Sequence, residues 1–361
     1  MKTYRIPMVP GPTSVPAEVL SAYQVDYGSG DLEEEFFVLY EDTQSRLQTI
    51  MGTRNAIAIM SGEAMVVLWG ALKSCLKPGD RVLSIGTGVF GYGIGEMARS
   101  VTGDVHFVGF SYDEVCDVNR VEDAIVQLKP KMVTLVHCET PSGTLNPLAE
   151  VGELVRLHQV PLFYVDAVSS AGGVPLRVDE WNVDLCLVGT QKCLSAPPEL
   201  GIVSVSERAW EVVAEVGYQG YDALGPWRTA LADRWLPYTP SWQAMAGLHV
   251  ACGRILAEGL EQVIRRHAEV AQRCRDRARD MGLELFPSSE EACSPTVTAL
   301  KVPERPGWPE LDRRLRRSGM VVGGSLEKLA GKVFRLGHMG SQAAPELINE
   351  AMDVLEQVLN P

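Results

Sequence analysis

Between residues 56 and 206, short apolar, β-branched runs alternate with amphipathic stretches of helical period. Strands and helices that alternate at this spacing form mostly parallel sheets with helices on both faces, and ligands bind beyond the carboxyl ends of the strands. The pattern therefore predicts an α/β fold with a mostly parallel seven-stranded sheet. The strands are predicted at 56–60, 81–85, 105–110, 131–136, 161–165, 184–189 and 201–206, and helices between them at 62–76, 91–101, 120–129 and 148–159.

The pattern changes on both sides of this region. Residues 1–16 are rich in proline and predict an extended arm that lies on the rest of the molecule. A helix is predicted at 207–217. The aromatic, proline-rich segment 218–240 that follows has no clear period and is long for a loop, so we expect it to be functional or interfacial. A long charged helix is then predicted across 242–281.

The C-terminal part predicts a small α+β unit. We place the domain boundary near Gly259, which divides the chain into an N-terminal arm (1–16), a large domain (17–258) and a small C-terminal α+β domain (259–361). The strands of the small domain are predicted at 282–286, 296–302, 320–324 and 332–339, and its helices at 309–318 and 344–359.

Composition narrows the possible functions. The 33 lysines and arginines stand against 46 aspartates and glutamates, a net charge of −13 that argues against a nucleic-acid partner, because binding to a phosphate backbone needs a cationic surface. The eight cysteines are scattered singly, which is typical of reduced thiols in a cytoplasmic protein rather than of disulfides or a metal site. The proline-rich start of the sequence does not predict a signal peptide, and with no apolar run of about 18 residues no membrane span is expected.

Two predicted strand ends carry the residues with the clearest chemistry. Lys192 follows the buried strand DLCLVG, and Asp166 ends the strand PLFYVD. A lysine removed from water loses its proton more easily and can form a Schiff base. A carboxylate at the same sheet edge can pair with a protonated pyridine nitrogen and keep the ring an electron sink. We therefore predict Lys192 and Asp166 as catalytic residues, with a solvated lysine and an Asx turn as the structural alternatives.

The motif MSGEAM leaves a strand and opens a predicted helix. The backbone N–H groups of Gly62, Glu63 and Ala64 would form an anion site at the start of that helix. Simple capping of the helix by Ser61 fits the same residues, and the sequence leaves both interpretations open.

The turn SIGTGVFGYG contains Gly86-x-Gly88-x-x-Gly91, which has the form of a dinucleotide-binding fingerprint. The next strand does not end in the acidic residue that would bind the ribose, and Phe90 lies inside the turn. We therefore do not predict a nicotinamide or flavin site here.

Several motifs in order along the chain resemble those of one family. MSGEA, GTGVFG, ETPSGTLNP, YVDAVSSAGG, TQKCLSAPPELG and RLGHMG resemble the class V, fold type I pyridoxal-phosphate aminotransferases, above all the alanine–glyoxylate and serine–pyruvate group, with features of the pyridoxamine–pyruvate aminotransferases. The resemblance spans about residues 7–358. It implies a two-domain fold, pyridoxal 5'-phosphate as cofactor, and a homodimer or dimer of dimers with active sites at the subunit interface.

The resemblance also implies roles for individual residues. Lys192 would carry the cofactor and move the α-proton, Asp166 would pair with the pyridine nitrogen, and Phe90 would stack on the ring. Arg335 in VFRLGHMG would bind the substrate α-carboxylate. The other implied cofactor contacts are Ser61, Gly62, Glu63 and Ala64, Thr140 near the phenolic oxygen, Thr190 and Gln191 beside the lysine, and Thr239, which the partner subunit would lend to the phosphate.

Glu63 departs from the family pattern, because its carboxylate would face the cofactor phosphate. Like charges at about 4 Å and an effective dielectric near 20 repel by on the order of 4 kcal/mol. Either Glu63 points away, or a cation satisfies it, or no phosphate binds, as in the pyridoxamine–pyruvate enzymes, which use unphosphorylated vitamin B6 as a substrate. Residues 318–334 lack the second arginine expected in such an enzyme, and Lys328 is a candidate to replace it.

The primary hypothesis is an aminotransferase that moves an amino group from an amino donor to a small 2-oxo acid, pyruvate or glyoxylate. The first alternative is pyridoxamine–pyruvate transfer. A lyase or desulfurase would need a mobile cysteine, for which Cys293 in EEACSPT is the candidate. A non-catalytic binding protein is the last alternative, although Lys192, Asp166 and Arg335 are all present. The sequence does not identify the amino donor.

Overall fold

The computed structural model describes residues 3–360. The strands are β1 (Ile6–Met8), β2 (Ala56–Ser61), β3 (Val82–Gly86), β4 (Val105–Gly109), β5 (Met132–Val136), β6 (Cys138–Glu139), β7 (Thr144–Leu145), β8 (Leu162–Asp166), β9 (Leu185–Gly189), β10 (Leu200–Val205), β11 (Val297–Lys301), β12 (Met320–Gly324) and β13 (Val333–Gly337). The helices are α1 (Ala17–Ala22), α2 (Glu34–Met51), α3 (Met65–Cys75), α4 (Val89–Thr102), α5 (Val118–Leu128), α6 (Leu148–Leu157), α7 (Glu207–Val216), α8 (Trp242–Glu258), α9 (Leu260–Asp280), α10 (Trp308–Arg317) and α11 (Pro345–Leu359).

Seven strands form the central sheet, in the order β2-β10-β9-β8-β5-β3-β4. Strand β10 runs antiparallel to both its neighbours, and the other pairs are parallel. Strands β3, β5, β8 and β9 are buried along their whole length, as expected for strands with helices on both faces. The predicted α/β fold with a mostly parallel seven-stranded sheet is confirmed.

Helix α2 is the longest element that the sequence pattern did not predict. It buries Phe36, Tyr40 and Leu47 at helical spacing against the core of the central sheet. Its N-cap is Glu33, whose side chain makes no capping hydrogen bond, so the sequence lacks the usual signal for a helix start. Gly52 ends the helix with φ 62, a left-handed conformation that glycine adopts without strain.

A second sheet has the order β1-β12-β13-β11. Strand β1 comes from the N-terminal arm and pairs in parallel with β12, with Ile6 opposite Met320 and Met8 opposite Val322. The extended arm therefore adds an edge strand to the C-terminal sheet. The division of the chain into an arm and two domains stays a prediction.

The strand predicted at 282–286 is wrong. One isolated bridge joins Leu285 to Leu300, next to the end of β11. Pro287 follows immediately and cannot donate a hydrogen bond to a neighbouring strand, so the pairing stops there.

The single helix predicted across 242–281 is also wrong, because Gly259 separates α8 from α9. Gly259 adopts φ 93 and ψ 123, and its N–H closes the last turn of α8. The preceding segment 218–240 contains a short 3-10 turn and the exposed aromatic residues Tyr221 and Trp235. In the described part of the chain, none of the helices is long and apolar enough to cross a membrane.

Candidate active site

A cavity of about 280 Å³ lies at the carboxyl ends of the central strands. Strands β8 and β9 bring Asp166 and Lys192 to its wall, and the first turn of α4 contributes Phe90. The position agrees with the general rule for ligand sites in open α/β sheets. The predicted site residues that line it are Glu63, Ala64, Phe90, Asp166, Gln191 and Lys192.

Lys192 is partly buried beneath the N-terminal arm. Its Nζ donates a hydrogen bond to the carbonyl oxygen of Pro10 at 2.6 Å, and Thr13 Oγ1 donates to the Lys192 carbonyl oxygen at 3.0 Å. Gly11 packs on the lysine side chain, because a Cβ there would lie 2.5 Å from Lys192 Cδ. Burial lowers the pKa of Lys192, and the nearby Arg335 guanidinium lowers it further. The amine is therefore more readily unprotonated and nucleophilic than a solvated lysine.

Asp166 is buried at the end of β8. Its Oδ1 accepts a hydrogen bond from the Val168 N–H at 2.8 Å, and its Oδ2 makes no hydrogen bond within residues 3–360. Burial raises the pKa of Asp166 to about 6, because it outweighs the opposing effects of the Val168 N–H and of Lys192. A protonated ring nitrogen at Oδ2 would favour the ionised carboxylate. The free oxygen therefore fits the pyridine end of a pyridoxal ring.

Phe90 is held by a buried carboxylate that the sequence analysis did not single out. Glu139 Oε1 accepts the Gly91 N–H at 2.6 Å, and Oε2 accepts the Phe90 N–H at 3.1 Å. Burial raises the pKa of Glu139 to about 8, although the two N–H groups oppose this shift. The signal that could have revealed Glu139 is an acidic residue three positions after the apolar run MVTLV.

Thr140 and Arg335 adjoin the cavity without lining it. The Thr140 hydroxyl is hydrogen-bonded to the hydroxyl of Ser169, which does line the cavity. Arg335 Nη1 donates to the Thr140 carbonyl oxygen at 3.2 Å, and Nε donates to the Gly324 carbonyl oxygen at 2.9 Å. Burial lowers the pKa of Arg335 to about 10, and no carboxylate pairs with it in the described residues. A guanidinium bonded only to carbonyl groups keeps its charge available for an anion.

Glu63 lies in the cavity wall at the start of α3. Its Oε2 accepts the Met65 N–H at 2.9 Å, and its Oε1 accepts a hydrogen bond from Gln191 Nε2. The Gly62 N–H donates to the Glu199 carbonyl oxygen at 2.7 Å, so the expectation that this group is free for an anion is wrong. The helix start is thus already capped by Glu63, and no cation of residues 3–360 pairs with that carboxylate.

Three further predicted contacts, Ser61, Thr190 and Thr239, also lie outside the cavity wall. The Thr190 hydroxyl donates to the Pro197 carbonyl oxygen at 2.5 Å and is used inside its own loop. The Ser61 N–H donates to Tyr238 Oη at 3.1 Å, a contact that the sequence did not reveal. Thr239 is exposed on the surface of the chain. Their roles toward a cofactor stay predictions.

Two residues proposed for alternative functions also lie elsewhere. The Lys328 ammonium lies 3.4 Å from the centre of the Tyr112 ring and does not line the cavity. The Cys293 thiol donates to the Ser289 carbonyl oxygen at 3.5 Å, also outside the cavity wall. Neither side chain is placed to act beside Lys192 in this conformation.

Residues 9–322 match the family model described as aminotransferase class V. The pyridoxamine–pyruvate transaminase of Mesorhizobium japonicum is 34% identical over 337 residues, which cover 91% of this chain and 85% of that protein. The serine–glyoxylate aminotransferase of Arabidopsis thaliana is 34% identical over 347 residues, with 92% and 85% covered. The solved pyridoxamine–pyruvate aminotransferase of Mesorhizobium loti matches with a TM-score of 0.96 at 32% identity, over 99% of this chain and 93% of that one.

The fold and these likenesses are those of fold type I enzymes that depend on pyridoxal phosphate. The chain belongs to the class V aminotransferases.

Proposed function

We propose that the chain transfers an amino group from an amino donor to a small 2-oxo acid, pyruvate or glyoxylate, with pyridoxal 5'-phosphate as cofactor. The observation that carries this proposal is the presence of Lys192 and Asp166 in the wall of one cavity at the ends of β8 and β9. The choice of acceptor is supported by relatives whose names contain pyruvate and glyoxylate.

The cavity wall offers complementary groups for a pyridine ring. Phe90 provides a flat apolar face, and Asp166 Oδ2 provides a carboxylate oxygen for the ring nitrogen. Bound pyridoxal supplies an electron sink that makes the α-proton of an amino acid acidic. Lys192 would hold the cofactor through its amine until the amino donor takes its place, and the released amine would then remove the α-proton as a general base and return a proton as a general acid.

Arg335 would bind the α-carboxylate of the amino donor and of the 2-oxo acid. A guanidinium carries five N–H donors, and in this structure Nε, Nη1 and Nη2 each give one to a backbone carbonyl. One N–H on each terminal nitrogen is left, which suits a carboxylate. The backbone contacts at Gly324 and Thr140 fix the orientation of the fork.

A screen of donors and acceptors tests this function. Purified chain loaded with pyridoxal phosphate is mixed with single amino acids, and the absorbance of the bound cofactor is followed. We expect a change with at least one donor and its reversal by pyruvate or glyoxylate. Loaded chain that responds to no amino acid would contradict the proposal.

Pyridoxamine–pyruvate transfer is a second candidate, and the position of Glu63 favours it. The carboxylate caps α3 and lines the cavity, so it takes the place at a helix start where an anion would otherwise bind. A vitamin without a phosphate would avoid the repulsion. The test is to supply pyruvate with free pyridoxamine and look for pyridoxal release; absence of release at millimolar substrate contradicts this candidate.

We further propose that the chain works as a cytoplasmic homodimer. Exposed Tyr221, Trp235 and Thr239 in segment 218–240 support a subunit interface, and eight free cysteines, seven of them buried, support a reducing compartment. Mixing inactive Lys192→Ala and Thr239→Ala variants tests the shared site. Activity should return after subunit exchange, because one site of each mixed dimer is then intact. No return of activity would contradict the shared site.

A further inference from the structure

Glu139 is a fully buried carboxylate with no part in the chemistry described above. It ends β6, and both of its oxygens accept main-chain hydrogen bonds from the first turn of α4, at Gly91 and Phe90. The N-cap of α4 is Gly88, which has no side chain to cap the helix. Glu139 therefore does from a distant part of the chain what an N-cap side chain does locally.

Two glycines of the sequence motif, Gly88 and Gly91, lie against this carboxylate. A Cβ on Gly88 would lie 2.5 Å from Glu139 Cδ, and a Cβ on Gly91 would lie 2.6 Å from the Ile85 carbonyl oxygen and 3.1 Å from Glu139 Oε1. The φ of Gly88 is −171°, which any residue can adopt, so a glycine is needed there only because a larger residue would not fit. The Phe90 and Gly91 N–H groups of the turn that resembles a dinucleotide fingerprint are thus bonded to the protein's own Glu139 side chain.

The residue after Glu139 links this cradle to the rest of the site. The Thr140 carbonyl oxygen accepts a hydrogen bond from Arg335 Nη1, and its hydroxyl pairs with Ser169 in the cavity wall. A displacement of Glu139 would therefore move Phe90 through its N–H, and would move Arg335 through the Thr140 carbonyl.

We propose that Glu139 is a positioning residue that holds Phe90 against the bound pyridoxal ring. This inference rests on the proposed function, because it requires a ring in the cavity. A side chain whose two oxygens each accept one N–H group at a helix start fixes the direction of the first turn. The side chain of that turn that lines the cavity is Phe90.

The test measures the visible circular dichroism of the bound ring, which reports how firmly an asymmetric site holds it. Wild-type chain and the Glu139→Gln variant are titrated with pyridoxal phosphate and, separately, with pyridoxal. We expect Glu139→Gln to weaken binding of both probes by about tenfold and to reduce the dichroism per bound molecule, because the amide has only one acceptor oxygen for the two N–H groups.

Asp184→Asn is the matched control. Asp184 is also a buried carboxylate that accepts a main-chain N–H, from Phe163 at 2.8 Å, but Phe163, unlike Phe90, does not line the cavity. It should lower the melting temperature without changing the dichroism per bound ring. Equal changes in dichroism for Asp184→Asn and Glu139→Gln would overturn the inference.

Gly88→Ala provides an independent perturbation if Glu139→Gln does not fold. Its methyl group displaces Glu139, so it should reproduce the loss of dichroism, whereas Gly93→Ala in the same helix adds a methyl group into open space and should not. If the wild-type chain binds both probes but Gly88→Ala and Gly93→Ala show the same dichroism per bound ring, this inference alone is overturned. Wild-type chain that binds neither probe overturns the proposed function together with it.

Discussion

The two ends of the cavity differ in how far their polar groups are already satisfied. At the ring end, Asp166 keeps an oxygen without a hydrogen-bond partner in the described chain, and Lys192 has a lowered pKa. At the α3 end, Glu63 is bonded to Gln191 and to a helix N–H, and no basic side chain of the described residues is paired with it. At the ring end, a carboxylate oxygen of Asp166 is left for a ligand. At the α3 end, the Glu63 carboxylate takes the position where an anionic ligand would otherwise bind.

This difference separates two parts of the function. The ring chemistry depends on residues that the strands place at one sheet edge, so it follows from the fold itself. The preference for a phosphorylated or unphosphorylated ring depends on a single side chain at the start of α3. A change at Glu63 could therefore alter the choice of vitamin B6 form without altering the reaction.

The largest effect is expected at the ring end. Lys192→Ala should reduce transamination by about 10⁴-fold or more, because the nucleophile and the general base are lost together. Single-turnover absorbance changes with an active amino donor provide the measurement. Lys301→Ala, on the exposed side of the C-terminal sheet, is the control and should keep wild-type activity. A Lys192→Ala variant within tenfold of wild type would refute the role.

A smaller loss is expected for Asp166→Asn. The substitution keeps the shape but removes the charge that holds a proton on the ring nitrogen, so kcat should fall by about 10²-fold. The Val168 N–H can still bond to the amide oxygen, and the melting temperature should change little. If the amount of folded protein falls as much as kcat does, Asp166 has a structural role instead.

At the α3 end, Glu63→Gln should improve the affinity for pyridoxal phosphate by about tenfold and leave the affinity for pyridoxal nearly unchanged. The expected gain is well below the bare repulsion at about 4 Å, because water and the helix screen the pair. Equilibrium titration of the visible absorbance gives both constants. Glu199→Gln, a nearby exposed carboxylate outside the cavity wall, is the control. Equal gains for both probes would contradict electrostatic selection by Glu63.

The smallest effect concerns pH. Because burial and Arg335 lower the pKa of Lys192, its unprotonated form should appear below pH 10.5. Arg335→Met removes the nearby positive charge, so the pKa of Lys192 should rise but stay below 10.5, since burial is the larger cause. The rate of adduct formation with pyridoxal, followed against pH, measures both midpoints. A lower pKa of Lys192 in Arg335→Met than in the wild-type chain would contradict this prediction.

The sequence was sufficient for the parts of the site that lie on one strand or its end. Lys192 and Asp166 could be predicted because an apolar strand followed by a polar turn carries them, and the central sheet followed from the same alternation. The contacts of Pro10 and Glu139 could not be predicted from the sequence, because they join segments far apart in the chain. The break at Gly259 was missed because the helical pattern continues on both sides of it.

The most direct test of the central claim is to locate the residue that reacts with pyridoxal. The chain is incubated with pyridoxal phosphate or with pyridoxal, reduced with borohydride, digested and mapped by mass spectrometry. We expect the modified peptide to contain Lys192, with the pyridoxal adduct present and the phosphorylated adduct increased in Glu63→Gln. Modification confined to other lysines, or none with either compound, would contradict it.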